Sequence, residues 1–216
     1  MPRVERPNFW VQMIPQFALL LDGGFVIQKL QARLRRFPSA DDVEAECDRL
    51  RDHPTFKDYE LLRIYFYHAP PSDKKVVHPI SQEEIFLGRT RIHQDSQQLL
   101  DALEQRQDFA LRLGETAVQG WKLRDRAQRS ILKNPRHIEA NDIVVDVQQK
   151  GVDLRIGLDI ARLALRDMAR AIVVVSGDSD LIPSFRFARR EGLRIYLDCM
   201  GHGVWPQLKA HADQVI

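Results

Sequence analysis

The sequence predicts an α/β fold built on a mainly parallel sheet, on three observations. From Ile143 onward, short apolar runs alternate with segments of helical period, a β-α-β-α-β order that implies parallel strands covered by helices on both faces. Phe17 to Leu21 is a continuous apolar run, as a strand buried on both faces requires. The composition supplies a core: 44% of the 216 residues are hydrophobic and 29% charged, the balance of a soluble globular chain of about one domain.

Along the chain, Phe17 to Asp22 reads as a buried strand, Gly23-Gly24 as a turn, and the mixed apolar and basic stretch to Phe37 as a helix. Ser39, followed by Asp41, Asp42 and Glu44, is placed to cap a helix running to about Asp52. Leu61 to Tyr67 is aromatic and β-branched enough for a second strand, stopped by Pro70-Pro71. Ser81 with Glu84 suggests a capping box and a helix continuing through Leu99, Leu100 and Leu103. Phe109 to Leu123 is expected to form an antiparallel hairpin turning near Gly114-Glu115. Then follow a strand at Ile143 to Val147, a helix from about Val152 to Met168, a strand at Ala171 to Val175, and a helix from about Ser179 to Glu191 closed by Gly192. A strand at Leu193 to Leu197 completes the order. The whole reads as one domain over 1–216, with its core at about 17–197 and a hairpin and basic segment at 108–140.

Several classes are excluded. Lys and Arg total 32 against 30 Asp and Glu, a formal charge of +2, too balanced for a binder driven by a basic tail. Cys47 and Cys199 fit neither a disulfide framework nor a zinc pattern, so a cytoplasmic setting is expected. The apolar run at Phe17 to Leu21 is too short to span a membrane. No Walker lysine motif is present, Gly23-Gly24 lacks the third glycine of a dinucleotide fingerprint, and a phosphatase built on a strand-end aspartate would need an acid where Gly24 stands.

In a parallel α/β sheet, ligands bind at the carboxyl ends of the strands. Asp22 ends the first strand, Asp178 and Asp180 follow the strand Ile172 to Val175, and Asp153 opens the intervening helix, so all four can meet on one rim. Carboxylates gathered in a low-dielectric crevice repel one another unless a cation neutralises them. All-oxygen ligation without His or Cys suits Mg²⁺ or Mn²⁺, and such ions serve phosphodiester hydrolysis. Each acid also has a plainer reading. Asp178, Ser179 and Asp180 are what a helix N-terminus favours, and Asp159 lies among Arg155, Arg162 and Arg166 at spacings that suit ion pairs on an exposed face. His68 ends the second strand and is more often structural in such a place.

The stretch Gln149-Lys150-Gly151-Val152-Asp153, with Gly157-Leu158-Asp159, Val175-Ser176-Gly177-Asp178-Ser179-Asp180-Leu181-Ile182-Pro183 and Arg189-Arg190-Glu191-Gly192, resembles the NYN-domain family, in particular its bacterial LabA-like branch. Leu20-Leu21-Asp22-Gly23-Gly24-Phe25 looks like that family's first motif, although Phe25 stands where many members have Asn. The resemblance implies a PIN-like three-layer fold and a metal-dependent ribonuclease acting on RNA, with Asp22, Asp153 and Asp178 at the metal and Asp180 beside them as a further catalytic acid. A non-catalytic RNA-binding or regulatory module is the alternative.

Lys122, Arg124, Arg126, Arg129, Lys133 and Arg136 form the densest basic segment, opposed within it only by Asp125. If it is helical to Pro135, then Lys122, Arg126, Arg129 and Lys133 make one stripe that can follow RNA phosphates, with Trp121 beside it to stack on a base. A solvated helix face and a Trp tucked into the core is the plainer reading. Arg186, Arg189, Arg190 and Arg194 form a second basic group expected to flank the acids in part. The partners expected are RNA and no membrane, with a homodimer left open.

Overall fold

The computed structural model describes residues 14–203 and 205–216. The start of the domain expected over 1–216 therefore lies outside the described residues. The central sheet is built from β1 (Gln16–Asp22), β2 (Glu60–His68), β5 (Phe109–Leu113), β8 (Ala171–Val175), β9 (Arg194–Asp198) and β10 (Gln214–Val215). Its order is β10-β9-β8-β1-β2-β5 and every pairing is parallel. The layout is consistent with a PIN-like fold.

The apolar runs follow from two-sided burial. Phe17, Leu19 and Leu21 of β1 face one cluster with α1 (Gly23–Leu34), α2 (Ala40–Arg51) and α3 (Arg91–Glu104), whereas Ala18 and Leu20 face the other with α5 (Val152–Leu165), α6 (Ile182–Arg190) and α7 (Pro206–His211). A strand with period two and helices on both sides has no polar face to spare. Each such Leu contributes about 1.5–3 kcal/mol by leaving water.

Ser39 caps α2 as expected: its hydroxyl accepts from the Asp42 N–H, the Asp42 carboxylate accepts from the Ser39 N–H at 2.7 Å, and Arg36 holds that carboxylate at 2.6 and 2.8 Å. Ser39→Ala is expected to cost about 1 kcal/mol, read as a fall of roughly 2–4 °C in the thermal midpoint. An unchanged midpoint would mean that the Arg36–Asp42 pair alone fixes the helix start.

Several expectations need correction. Gly23-Gly24 is not a turn, because Asp22 caps α1 directly and the chain passes from strand to helix without a loop. That helix ends at Leu34, short of Phe37, with Arg35 in the left-handed region at φ 57°. Ser81 does not cap a helix: it lies in the turn between β3 (Lys75–Val77) and β4 (Glu84–Phe86), where His78 Nδ1 accepts from the Ser81 N–H at 3.1 Å. The following helix is α3, capped by Thr90, whose hydroxyl accepts from the His93 N–H. A Ser-x-x-Glu spacing is too short a pattern to outweigh the apolar periodicity, which begins only after it.

The hairpin at 109–123 is also re-paired. β5 joins the central sheet beside β2, and β6 (Glu115–Leu123) pairs antiparallel with β7 (Ile143–Lys150). Between them the Gly114 N–H donates to the His68 carbonyl at 2.7 Å, so the chain leaves the sheet there and enters a separate ribbon. α4 (Asp125–Lys133) lies at the far end of that ribbon. The helix at 179–191 resolves into a 3₁₀ turn at Ser179–Leu181 followed by α6; beyond Leu197, α7 extends the core and β10 adds an edge strand to the sheet.

Candidate active site

β1 lies between β2 and β8, so its carboxyl end is flanked by the carboxyl ends of both neighbours. Asp22 stands at that end. Its Oδ1 accepts from the Phe25 N–H at 3.2 Å and its Oδ2 from the Ser176 hydroxyl at 3.0 Å. Ser176 is fully buried, and its Oγ in turn accepts from the Asp178 N–H at 3.1 Å. One hydroxyl thus ties the end of β1 to the loop after β8. Asp178 Oδ1 accepts from the Asp180 N–H at 2.9 Å, so the capping reading of Asp178 holds while the residue also sits on the rim.

Asp153 lies in the first turn of α5, after Gly151 at φ 72°. Burial raises the Asp153 carboxyl above its ordinary value, and repulsion from Asp178 and Asp180 raises it further. Asp22 is raised first by burial and then by Asp153 and Asp178, against the hydrogen bonds from Phe25 and Ser176. Asp153 and Asp178 thus link Asp22 electrostatically to the other side of the rim. Among the described residues none of them belongs to an ion pair, and no three His, Cys, Asp or Glu side chains stand as a ready cage for a metal ion. The donor set nonetheless fits a hard divalent cation: all-oxygen, half-buried at Asp22 and Asp178 and open to solvent at Asp153 and Asp180, with its negative charge uncompensated.

The surroundings assign other roles. Asp159 pairs not with its helix neighbours but with Arg112 across the sheet, Nε to Oδ2 at 2.9 Å, and accepts from the Tyr67 hydroxyl at 3.0 Å. This ties α5 to β2 and β5 and raises the Tyr67 phenol, which burial raises most. His68 is buried and pushed down to about 4 by that burial, so its ring is neutral at pH 7. Its Nδ1 lies 3.3 Å from Gln149 Nε2, which brings the polar end of β7 to the rim. The sequence placed Gln149 only at the head of the Gln149 to Asp153 motif, with no role of its own, because its partner His68 is remote in the chain. Phe25 brings an apolar ring against Gly177, where a Cβ would lie 2.9 Å from it, and Lys29 Nζ stands 5.2 Å from the ring centroid. Asp198, at the carboxyl end of β9, also escaped notice; it is buried, salt-bridged to Arg49, and accepts from the Met200 N–H at 2.8 Å, so its charge is already neutralised.

The basic stripe is divided. Lys122 belongs to β6 and pairs with Asp146 at 2.8 Å, and Arg136 binds Asp142 through two contacts at 2.6 and 2.8 Å, holding that carboxyl near about 2. Arg126, Arg129 and Lys133 remain together on α4, about 25 Å along the ribbon from its base beside Asp153. Trp121 packs edge-on against His78 at 4.6 Å and is half-buried, so it holds the β3–β4 hairpin to the ribbon. The Arg186, Arg189, Arg190 and Arg194 group does not flank the acids. α6 runs back from the carboxyl edge and β9 begins at Arg194, which places the group at the amino edge.

Among the described residues no helix is long and apolar enough to cross a membrane. No curated protein matches the chain. In fold it is similar to a protein of unknown function from Vibrio parahaemolyticus, with a TM-score of 0.52 at 15% identity over 94% of this chain and 91% of that one. The NYN domain matches residues 90–216, a span that holds Asp153, Asp178 and Asp180 and begins after Asp22. The chain belongs to the NYN-domain family.

Proposed function

We propose that this chain is a metal-dependent ribonuclease that hydrolyses RNA phosphodiester bonds at the carboxyl edge of its sheet. The carrying observation is the set of acids from β1, α5 and the loop after β8, which repel one another and have no cationic partner among the described residues. Asp22, Asp153 and Asp178 would hold Mg²⁺ or Mn²⁺, with Asp180 beside them. Such an ion supplies activation of the attacking water and compensation for the charge of the phosphate. The chain's own residues do the positioning: Ser176 and the Phe25 N–H fix both oxygens of Asp22, and Gln149 with neutral His68 lines the rim next to it. The family's LabA-like branch, a single domain over 1–216 and a cytoplasmic setting belong to the same proposal, the last supported by two buried free cysteines.

The test is cleavage of end-labelled RNA, single-stranded and structured, with Mg²⁺ or Mn²⁺ and again in EDTA. Cleavage lost in EDTA and restored by the metal supports the proposal; equal cleavage in EDTA overturns it. The apolar ring of Phe25 on the rim favours a second reading, an RNA-binding module without catalysis, which predicts binding with no cleavage in either metal.

RNA contact by α4 has its own test. Replacing Arg126 and Arg129 with Ala is expected to weaken RNA binding about equally for different sequences and to reduce the log–log salt slope by roughly 0.7 per contact. Anisotropy titrations at several salt concentrations read this, and an unchanged slope would make the α4 arginines a solvated face.

A further inference from the structure

At the amino edge, Arg186, Arg189 and Arg190 of α6 line an open cleft of about 390 Å³ with Gly192, Leu193, Arg194 and Asp213. Its charge is not balanced. Asp213 is the only acid in the wall, and it is fully used, with Oδ1 paired to Arg189 Nε at 3.0 Å and Oδ2 accepting from the Ile195 N–H at 2.7 Å. Arg186 and Arg190 form no ion pair among the described residues, and neither does the exposed Glu191 nearby; Arg194 turns to the other face of β9, where its side chain hydrogen-bonds Tyr196.

The carboxyl end of a helix favours cations in its last turn, which explains Arg189 and Arg190. It does not explain Arg186, a turn earlier. Guanidinium groups crowded around one cleft repel unless an anion enters, and their planar fork matches phosphate oxygens. An enclosed metabolite site would have apolar walls, but here the only large apolar lining residue is Leu193, itself buried. The open shape and basic wall fit an extended polyanion instead. Phe187, exposed at 37% on the same helix, offers a ring on which an unpaired base can stack.

We propose that this cleft is a second RNA-backbone site, in which Arg186 and Arg190 contact phosphates of the strand whose scissile bond lies at the acidic rim. It rests on the ribonuclease reading for the identity of the polyanion. The two sites lie at opposite ends of α6, about 14 Å apart along its nine residues. A short oligonucleotide engages one site only, whereas a long one joins both and gains from the high effective concentration of the tethered second contact.

The test compares the wild-type chain with an Arg186→Ala/Arg190→Ala variant, Arg189 being kept because it holds Asp213. Fluorescein-labelled single-stranded RNAs of about 2 nucleotides, too short to span the two sites, and about 25 nucleotides are titrated in EDTA at several salt concentrations. For the long RNA, the variant is expected to bind about tenfold more weakly at moderate salt, with a log–log slope reduced by roughly 1.4 for two contacts. The length dependence of affinity should shrink, while metal-dependent cleavage of the short RNA keeps its rate. A matching thermal midpoint shows that the variant is folded.

Unchanged affinity and slope for the long RNA overturn the proposal. So does an unchanged RNA affinity accompanied by lost binding of a poly-glutamate peptide, which would assign the cleft to an acidic protein segment. If the ribonuclease reading itself fails, neither protein cleaves in Mg²⁺ or Mn²⁺, and the binding difference in EDTA still decides the cleft.

Discussion

Asp22→Asn is expected to abolish metal-dependent cleavage, by at least about a hundredfold, while leaving a chain no less stable than the wild type. Substituting a residue that merely orients a metal ligand costs 10–100-fold in affinity or activity, and removing a ligand's charge should exceed that. The fold should survive because Asn keeps an oxygen to accept from the Phe25 N–H, and the Ser176 hydroxyl can turn to accept from the new amide. Stability should hold for an electrostatic reason. The Asp22 carboxyl is raised above 3.8 by burial and by its acidic neighbours, so the folded chain binds that proton more tightly than the unfolded one. Its contribution to stability is then lost as pH rises from about 3.8 through the folded value, and at pH 7 the charged group is a cost that Asn removes.

Divalent metal should reverse the comparison. An ion that binds only the folded state, at about a hundred times its Kd, stabilises by roughly 2.7 kcal/mol, which for a chain of this size raises the midpoint by about 5–10 °C. The wild type should show that rise with Mn²⁺ and Asp22→Asn should not. Equal rises in both would remove Asp22 from the metal site even if cleavage were lost.

Gly23→Ala is expected to destabilise by about 1–3 kcal/mol and to cost activity about tenfold or more. A Cβ at Gly23 would lie 2.6 Å from the Tyr67 carbonyl and 2.8 Å from the buried Phe66 ring. Neither neighbour can yield, because both belong to β2, which is hydrogen-bonded to β1 and packed in the core. The added methyl must therefore push Asp22 away from the rim. Gly24→Ala provides the contrast: its Cβ would meet Asp22 Oδ1 at 3.5 Å, an ordinary contact, so stability should change little. Thermal melts of the two variants decide the matter, and equal effects would show that the close approach of β1 to β2 does not require Gly23.

The central strands, and Asp22 and Asp178 at the ends of two of them, were legible in the sequence because these are local properties, although Asp198 at the end of β9 was passed over. A run such as Ala171 to Val175 can only be buried on both faces, and an acid directly after such a run stands at the strand's carboxyl end wherever that strand lies in the sheet. The Ser39 cap was legible for the same reason, since its partner Asp42 lies one helical turn away. The NYN resemblance likewise rested on short contiguous motifs.

What only the tertiary structure decided were the partners. Gln149 reaches His68 across 81 residues, Arg49 neutralises Asp198 across 149, and Ser176 bridges Asp22 and Asp178 across 154 and 2. Phe109 to Leu123 showed two strands, but which edges they joined depended on the open side of β2 and on β7, neither of which is written in that segment. The same holds for charge. Lys122 and Arg126 look alike in sequence, yet Lys122 is tied to Asp146 across the ribbon and Arg126 forms no ion pair among the described residues. The second basic group sits at the amino edge because α6 runs antiparallel to the strands it connects. Local sequence sets which residues a helix or strand presents; which neighbour satisfies them is set by closing all backbone hydrogen bonds and burying both sheet faces at once, a condition on the whole chain.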